Sequence, residues 1–185
     1  KGEVFSPYKS KQKEIGVKYD GGRLGMSAAL FSTAKPLPAV VGSRATLSGE
    51  QRNQGLELSV FGTPMAGVRL LGGLTWLDTE QRKTDKPANN GKNAIGAPKT
   101  QLSVGGEWDV PGAPGLSLNA RTVYTSTQYA DLANSKQLPS WTRVDIGARY
   151  LTQLAGHDVT LRARIDNVAD RSYWASAVSS FDAGS

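Results

Sequence analysis

The sequence predicts an all-β fold, an antiparallel up-and-down meander of about eight strands. Three observations support this prediction. Segments of about nine to eleven residues carry an apolar side chain at every second position, which is the period of a strand. Short turns and long polar loops alternate between these segments. Apolar runs of about 18 residues, the length that indicates a transmembrane helix, do not occur.

The first half of the chain contains four alternating segments: KQKEIGVKY (11–19), LGMSAALFSTA (24–34), QGLELSVFG (54–62) and VRLLGGLTWLD (68–78). In the third segment, Leu56 and Leu58 lie on the face opposite Glu57. The residues DGGR at 20–23 are typical of a hairpin turn. The residues TPMAG at 63–67 predict a second short turn, so the four segments form two hairpins.

The second half repeats this pattern in the segments TQLSVGGEWDV (100–110), LSLNARTVY (116–124), TRVDIGARY (142–150) and VTLRARIDN (159–167). In the seventh segment, Val144 and Ile146 lie opposite Asp145. Short turns are predicted at 110–115 and 151–158, again within each pair.

Four longer connections complete the meander, and they are rich in Lys, Gln, Asn, Asp, Ser, Gly and Pro. They are predicted at about 35–53, 79–98, 125–140 and 168–185, as solvated and mobile loops. Because the strands run alternately up and down, all short turns lie at one end of the sheet and all long loops at the other.

The chain is basic overall, with 22 Lys and Arg against 16 Asp and Glu and a net charge of +6. The basic residues are dispersed, apart from KSKQK at 9–13 and QRKTDK at 81–86. Since no nucleic-acid-binding motif accompanies the charge, no nucleic-acid partner is predicted. The absence of cysteine excludes a disulfide scaffold, thiolate metal sites and thiol catalysis.

The sequence predicts that the protein is not an enzyme. His157 is the single histidine and lies in a predicted turn, which excludes a Ser-His-Asp triad and a metal site with two histidines. The carboxylates of Asp145 and Asp166 lie on predicted polar faces beside Arg143 and Arg164. This arrangement predicts salt-bridge networks rather than acid–base catalysis. No catalytic residue and no metal ligand is therefore assigned.

Alternation alone leaves open whether the apolar face points into a core or into lipid. A soluble eight-stranded ligand-binding barrel of the lipocalin kind is one solution, and a larger transmembrane β-barrel is the other. The apolar faces contain many Ala and Gly and few Phe, and such small side chains fill a closed core poorly. Aromatic residues at strand ends are typical of the girdles of a membrane barrel, and they are Tyr19, Trp76, Trp108, Tyr124, Trp141 and Tyr150.

Several stretches resemble, in order and spacing, one family of membrane barrels. They include SKQKEIGVKYD, QGLELSVFG, LPSWTRVDIGARY and RIDNVADRSYW. The chain resembles the C-terminal part of the barrel of TonB-dependent outer-membrane ferric-siderophore receptors, the subgroup that includes the ferrichrome receptors. The resemblance covers essentially all of residues 1–185. It implies that a plug domain, the early strands of a barrel of about 22 strands and its final strand lie outside this chain.

The resemblance also implies a function, which is TonB-dependent uptake of a ferric siderophore across the bacterial outer membrane. The implied partners are the ferric siderophore as transported ligand, TonB through an N-terminal region outside this chain, and outer-membrane lipid. No covalently bound cofactor is implied. Candidate ligand-binding residues lie in the predicted extracellular loops, and they are Tyr129, Trp141, Arg143, Tyr173 and Trp174. Ordinary loop packing or membrane anchoring remains the alternative role for each of them.

Overall fold

The computed structural model describes residues 9–41 and 44–177 of the chain. The described residues form ten strands: β1 (Lys11–Asp20), β2 (Leu24–Val41), β3 (Arg44–Met65), β4 (Val68–Arg82), β5 (Thr100–Asp109), β6 (Leu116–Thr125), β7 (Gln128–Tyr129), β8 (Gln137–Leu138), β9 (Trp141–Leu154) and β10 (His157–Ile165). A 3-10 turn, Pro87–Asn89, lies between β4 and β5. In this part of the chain, no helix is long and apolar enough to span a membrane.

Eight strands form one antiparallel sheet in the order β1-β2-β3-β4-β5-β6-β9-β10. Every neighbour in this sheet follows its partner along the chain, apart from the small β7-β8 hairpin inserted between β6 and β9. The predicted up-and-down meander is therefore confirmed. Strands β1 and β10 form the two edges of the sheet.

Two predicted connections are wrong. The loop predicted at about 35–53 is instead the far part of a long hairpin, in which Lys35 pairs with Gln51 and Leu37 with Gly49. The turn predicted at 151–158 consists only of Ala155 and Gly156, both with positive φ, and the remaining residues of this range belong to β9 and β10. Both segments lack strict apolar alternation. A ladder of backbone hydrogen bonds does not require that alternation, and side-chain patterns therefore underestimate strand length.

The register brings the alternating apolar residues of all eight strands onto one face. For example, Val17, Ala28, Leu58, Leu74 and Leu102 are successive cross-strand partners from β1 to β5. We call this surface the apolar belt, and its large members include Ile15, Val17, Met26, Leu30, Leu58, Val104, Leu118, Ile146, Leu161 and Ile165, all of them exposed. Among the described residues, Ala94 is the only buried hydrophobic one.

An open sheet with an exposed apolar belt does not support the soluble barrel. A lipocalin-like barrel closes on itself and buries its apolar face. Here the described sheet ends in two separate edge strands, and Ile15 is 74% exposed and Leu161 is 56% exposed. The alternative interpretation is therefore set aside.

Aromatic side chains mark the two margins of the apolar belt. Trp76 lies at the margin near the long loops, and Trp108 and Tyr150 lie at the margin near the short turns. Such rings suit the polar-apolar boundary of a bilayer. Trp141 was predicted among them, and this prediction is wrong. It shares the opposite, polar face of β9 with Arg143, because residues two apart on a strand point to the same side.

Glycines on the polar face accommodate two phenylalanine rings. A Cβ at Gly25 would lie 2.5 Å from the Phe61 ring, and a Cβ at Gly55 would lie 2.8 Å from the Phe31 ring and would also clash with the Trp76 carbonyl oxygen. The rings thus cover backbone that has no side chain of its own. This arrangement is known to compensate for glycine in sheets.

We expect the Gly55→Val variant to unfold at a lower urea concentration than the parent protein in detergent micelles. The added side chain meets backbone as well as Phe31, so the strands must shift, at a cost of about 1–3 kcal/mol. Gly73→Val is the matched control, since the nearest atom to its Cβ, the Leu58 carbonyl oxygen, lies 3.9 Å away. Equal midpoints for the two variants would show that Phe31 does not depend on Gly55.

Candidate functional site

The polar face carries a charged network near the short turns. Arg69 on β4 donates to Glu107 at 2.8 Å and pairs with Asp109, both on β5. Arg149 on β9 donates to Glu107 at 2.7 Å and to Ser117 at 3.1 Å. These contacts tie together β4, β5, β6 and β9. Glu107 and Asp109 are therefore both held in one salt-bridge network.

A second cluster is centred on Asp145, which is only 2% exposed. Its Oδ2 accepts from Arg143 at 3.0 Å and from Arg164 at 3.1 Å, and its Oδ1 accepts from the backbone N–H of Asn167 at 2.9 Å. Arg164 also pairs with the exposed Asp166 at 2.6 Å. The Asp145 carboxylate therefore fastens the chain segment after β10 to the polar face.

Asn167 shapes this segment as well as anchoring it. It has a positive φ of 55°, a conformation that Asn tolerates better than most residues. Its side-chain oxygen accepts from the Arg171 N–H at 3.1 Å, and its side-chain nitrogen donates to the Arg171 carbonyl at 3.1 Å. The resulting tight loop turns the chain back, and Tyr173 reaches the polar face of β9.

Three of the five predicted ligand-binding residues meet at this point. The rings of Trp141 and Tyr173 stack with centroids 4.2 Å apart and an interplanar angle of 18°. Arg143 donates from Nη1 to the Tyr173 hydroxyl at 3.4 Å. We call Trp141, Arg143 and Tyr173 the aromatic-arginine cluster. It lies at the loop end of the polar face, where β9 begins.

The other two predicted residues lie apart from this cluster. Tyr129 belongs to β7, where it pairs with Gln137, and its carbonyl oxygen accepts from the Gly96 N–H at 2.9 Å. Trp174 follows Tyr173 but is 70% exposed. Neither residue takes part in the stack, although both belong to the same set of loops.

The loops at this end are joined to one another by hydrogen bonds. Gln81, which is 2% exposed, donates to the carbonyl oxygens of Asn93 at 2.8 Å and Leu132 at 3.3 Å. Asn134 accepts from the Asn93 N–H at 2.7 Å and donates to its carbonyl at 3.0 Å. Sequence patterns could not reveal this docking, because the partners lie 12 to 51 positions apart and several of the acceptors are backbone carbonyls.

The segment after β10 joins the same loop assembly. Gln128 on β7, which is 2% exposed, donates to the Ala175 carbonyl at 3.3 Å. A Cβ on Gly96 would clash with the carbonyl oxygen of Ala177, so the segment also lies against the loop before β5. Gln81, Gln128, Asn134 and Asp145 were not singled out as site residues from sequence. A signal exists for Asn134 alone, since asparagine tolerates the positive φ of 56° that it adopts.

The hairpin loop between β7 and β8 contains a carboxylate with an altered pKa. Hydrogen bonds from the Lys136 N–H at 2.7 Å and the Ser135 hydroxyl at 2.8 Å hold the pKa of Asp131 below its ordinary value of 3.8. A lowered pKa in the folded state means that this contribution to stability is present at neutral pH and is lost as the pH falls below 3.8.

We expect the Lys136 amide to lose its protection from hydrogen exchange as the pH falls below 3.8, the ordinary pKa of this carboxyl. Exchange rates are corrected for their intrinsic pH dependence. In Asp131→Asn the corrected protection should be low and independent of pH, because the amide oxygen does not titrate. Ser126→Ala, which changes a hydroxyl elsewhere in these loops, serves as the control. The same pH profile in Asp131→Asn would contradict the assignment.

The described residues contain no group of three or more His, Cys, Asp or Glu side chains that could hold a metal ion. The loop end of the polar face offers aromatic surfaces and arginine donors. Such groups bind a ligand by stacking and hydrogen bonding.

Fold and site together define the wall of a transmembrane β-barrel, with an apolar belt on one face and a polar face that carries charge networks and loop-end aromatics. The chain belongs to the TonB dependent receptor-like, beta-barrel family, whose model matches residues 2–168. Members of this family lie in the bacterial outer membrane, and so does this chain.

Similar proteins include several siderophore receptors. The chain is 43% identical over 177 residues to the ferrichrome receptor FcuA of Yersinia enterocolitica, covering 95% of this chain and 23% of that protein. It is 31% identical over 180 residues to the ferrioxamine B receptor of Salmonella typhimurium, covering 93% and 26%. The crystal structure of BauA, the ferric preacinetobactin receptor of Acinetobacter baumannii, matches with a TM-score of 0.85 at 40% identity, covering 94% and 27%. The chain thus spans about a quarter of the length of these relatives.

Proposed function

We propose that this chain forms part of an outer-membrane receptor that imports a ferric siderophore in a TonB-dependent manner. The observation that carries the proposal is the likeness over nearly the whole chain to receptors named for ferrichrome and ferrioxamine B. The aromatic-arginine cluster on the polar face supports it, since a receptor needs such groups where its ligand enters. The import involves no covalent chemistry, and the protein is not an enzyme.

The proposed roles of the two faces follow from their chemistry. The apolar belt contacts outer-membrane lipid, because it exposes large hydrophobic side chains between aromatic margins. The polar face lines the lumen, where paired charges keep the wall hydrated and rigid. No nucleic-acid partner is proposed, because the basic residues are dispersed along the chain.

The proposed ligand contacts are Tyr129, Trp141, Arg143, Tyr173 and Trp174. Aromatic rings offer flat surfaces to the chelate, and Arg143 offers a cation and several donors to its oxygen atoms. Trp174 is well placed for an initial contact, since it is 70% exposed beside Tyr173. Trp141 and Arg143 lie deeper, on the barrel wall itself.

We assign residues 1–185 to the C-terminal part of the receptor barrel. The open edges of β1 and β10 agree with this assignment, because unpaired backbone groups in a membrane require neighbouring strands. Contact with TonB would come from an N-terminal region outside this chain, and iron enters as cargo within the siderophore.

The proposal is tested by uptake of iron-55 in cells that lack their own siderophore receptors and express the full-length protein. Ferrichrome, ferrioxamine B and preacinetobactin are supplied as ferric complexes. We expect saturable uptake of at least one complex, and its loss in a strain without TonB. Trp141→Ala should lower uptake at limiting concentration by about fivefold or more.

Trp76→Ala serves as the matched control, since Trp76 lies on the belt rather than on the polar face. Uptake is divided by the amount of protein in the outer membrane, which corrects for folding losses. If the uptake of every complex is independent of the receptor or of TonB, the proposed function is wrong.

A further inference from the structure

Three buried donor atoms lie together beside the Trp141–Tyr173 stack. They are the hydroxyl of Thr125, the indole Nε1 of Trp141 and the Nε of Arg143, and no acceptor pairs with them among the described residues. Thr125 is 2% exposed. Buried donors in native proteins are nearly always paired, so each such group requires an explanation.

The register places the three donors on one small patch. Thr125 on β6 lies directly opposite Trp141 on β9, and Arg143 follows two residues later on the same face. Cross-strand neighbours have Cβ atoms about 5 Å apart, and residues two apart on a strand are separated by about 7 Å. The three side chains are therefore neighbours on the polar face.

The donors are of one kind. A tryptophan N–H and an arginine Nε–H can only donate, and a threonine hydroxyl can donate as readily as it accepts. Asp145 already accepts from the far end of the Arg143 guanidinium at 3.0 Å, which orients this side chain and leaves Nε directed elsewhere. Because all three atoms can donate, the group that pairs with them must be an acceptor.

Tyr173 lies against two residues of this patch, Trp141 and Arg143. Its ring occupies the face of Trp141, and its hydroxyl accepts from Arg143 Nη1 at 3.4 Å, which is a long hydrogen bond. The covering segment is held on one side by the bond from the Asn167 N–H to Asp145 and on the other by the bond from Gln128 to the Ala175 carbonyl. Tyr173 lies between these two tethers.

We infer that Thr125, Trp141 and Arg143 form a subsite for an oxygen acceptor of the ligand, a carboxylate or a neutral carbonyl, and that Tyr173 closes this subsite until the ligand arrives. The inference rests on the proposed function, which it deepens by adding Thr125 as a contact residue and oxygen as the atom recognised. It also assigns Tyr173 a second role, as the side chain that must move aside.

The test uses the full-length protein in detergent micelles, labelled with 5-fluorotryptophan and observed by fluorine NMR. The Trp141 resonance is assigned by its loss in Trp141→Phe. Acetate and acetamide are titrated separately, because the first is a charged acceptor and the second a neutral one. In Tyr173→Ala, we expect a saturable shift of the Trp141 resonance with at least one probe, and half-saturation at a concentration about threefold or more below that of the parent protein.

Thr125→Val in the Tyr173→Ala background should abolish this shift. Thr142→Val in the same background should leave it unchanged, since Thr142 lies on the opposite face of β9 next to Trp141. The absence of a saturable shift with both probes in Tyr173→Ala would overturn the subsite, and so would a shift that Thr125→Val does not alter.

Binding of ferric siderophores provides the second arm and keeps the two proposals separate. Thr125→Val in the otherwise unaltered protein should lower the affinity for the ferric siderophore that the parent binds by about three- to tenfold. Thr142→Val should leave this affinity unchanged. A positive fluorine result without binding of any ferric siderophore would reject the proposed function and retain the subsite. Binding of a ferric siderophore with no saturable fluorine shift would reject the subsite and retain the proposed function.

Discussion

Replacement of Asp145 by alanine is expected to detach the segment after β10 from the barrel wall and to lower the free energy of unfolding by about 3 kcal/mol. The carboxylate is 2% exposed and accepts from Arg143, Arg164 and the Asn167 N–H. Its removal leaves the guanidinium of Arg143, which is 29% exposed, without its carboxylate partner. This value lies at the low end for a broken buried ion pair, because water can reach part of both arginines.

Asp166→Ala is the matched control for Asp145→Ala. Asp166 also pairs with Arg164, but its side chain is 59% exposed. Exposed ion pairs contribute about 0–1 kcal/mol, so this variant should unfold close to the parent. The comparison separates the burial of the carboxylate from its charge, since both variants remove one negative charge from the same cluster.

Urea unfolding in micelles measures the stability of both variants. Detachment of the segment is measured with a thiol reagent on Ser172→Cys, which introduces a cysteine into a chain that has none. We expect labelling of this introduced thiol to accelerate about tenfold or more with Asp145→Ala, in line with the loss of one or more anchoring hydrogen bonds to a charged group. Equal labelling rates for the Asp145 and Asp166 variants would contradict the anchoring role of Asp145.

The second large effect is expected on the opposite face. Ala120→Arg should destabilise the folded protein in lipid vesicles by about 2–4 kcal/mol, the cost of a basic side chain at the middle of a bilayer. Ala120 is exposed on the belt midway along β6, between Leu118 and Thr122. Its cross-strand partners are Gly106 and Ile146, so no carboxylate is close enough to pair with the new charge.

Thr142→Arg provides the control at a different depth on the same face. Thr142 is exposed at the loop end of β9, and its cross-strand partner on β6 is Tyr124. The cost of arginine falls to about 0–1 kcal/mol near the membrane interface. Both variants are compared by urea unfolding from vesicles and again from short-chain detergent. Equal stabilities for the two variants in vesicles would show that the belt does not face lipid.

Much of the architecture was predictable from local patterns. The eight alternating segments located every strand of the main sheet, because one face of each strand meets an apolar environment and the other a polar one. The same patterns failed where that contrast ends. The far part of the β2–β3 hairpin and the end of β9 extend beyond the belt, and their backbone ladders continue without alternation.

The candidate site was only partly predictable. The resemblance to siderophore receptors suggested Trp141, Arg143 and Tyr173 as residues able to contact a ligand, and the fold brings these three together. Thr125 carried no signal, since a threonine at the end of a strand is an ordinary β residue. Trp141 was also expected in the aromatic girdle. It lies on the polar face instead, because it is two residues from Arg143 on β9 and the two side chains point to the same side.

The amino-acid sequence by itself determined the strands, their order and the chemical difference between the two faces, because these depend on residues near one another in the chain. Only the tertiary structure decided which loops interlock, which carboxylate anchors the segment after β10 and which donors remain unpaired beneath Tyr173. Those features depend on contacts such as Gln81 with Leu132, Asn93 with Asn134 and Arg143 with Tyr173. Polar contacts of this kind need only one donor and one acceptor at the right distance, and they leave no periodic pattern in the sequence.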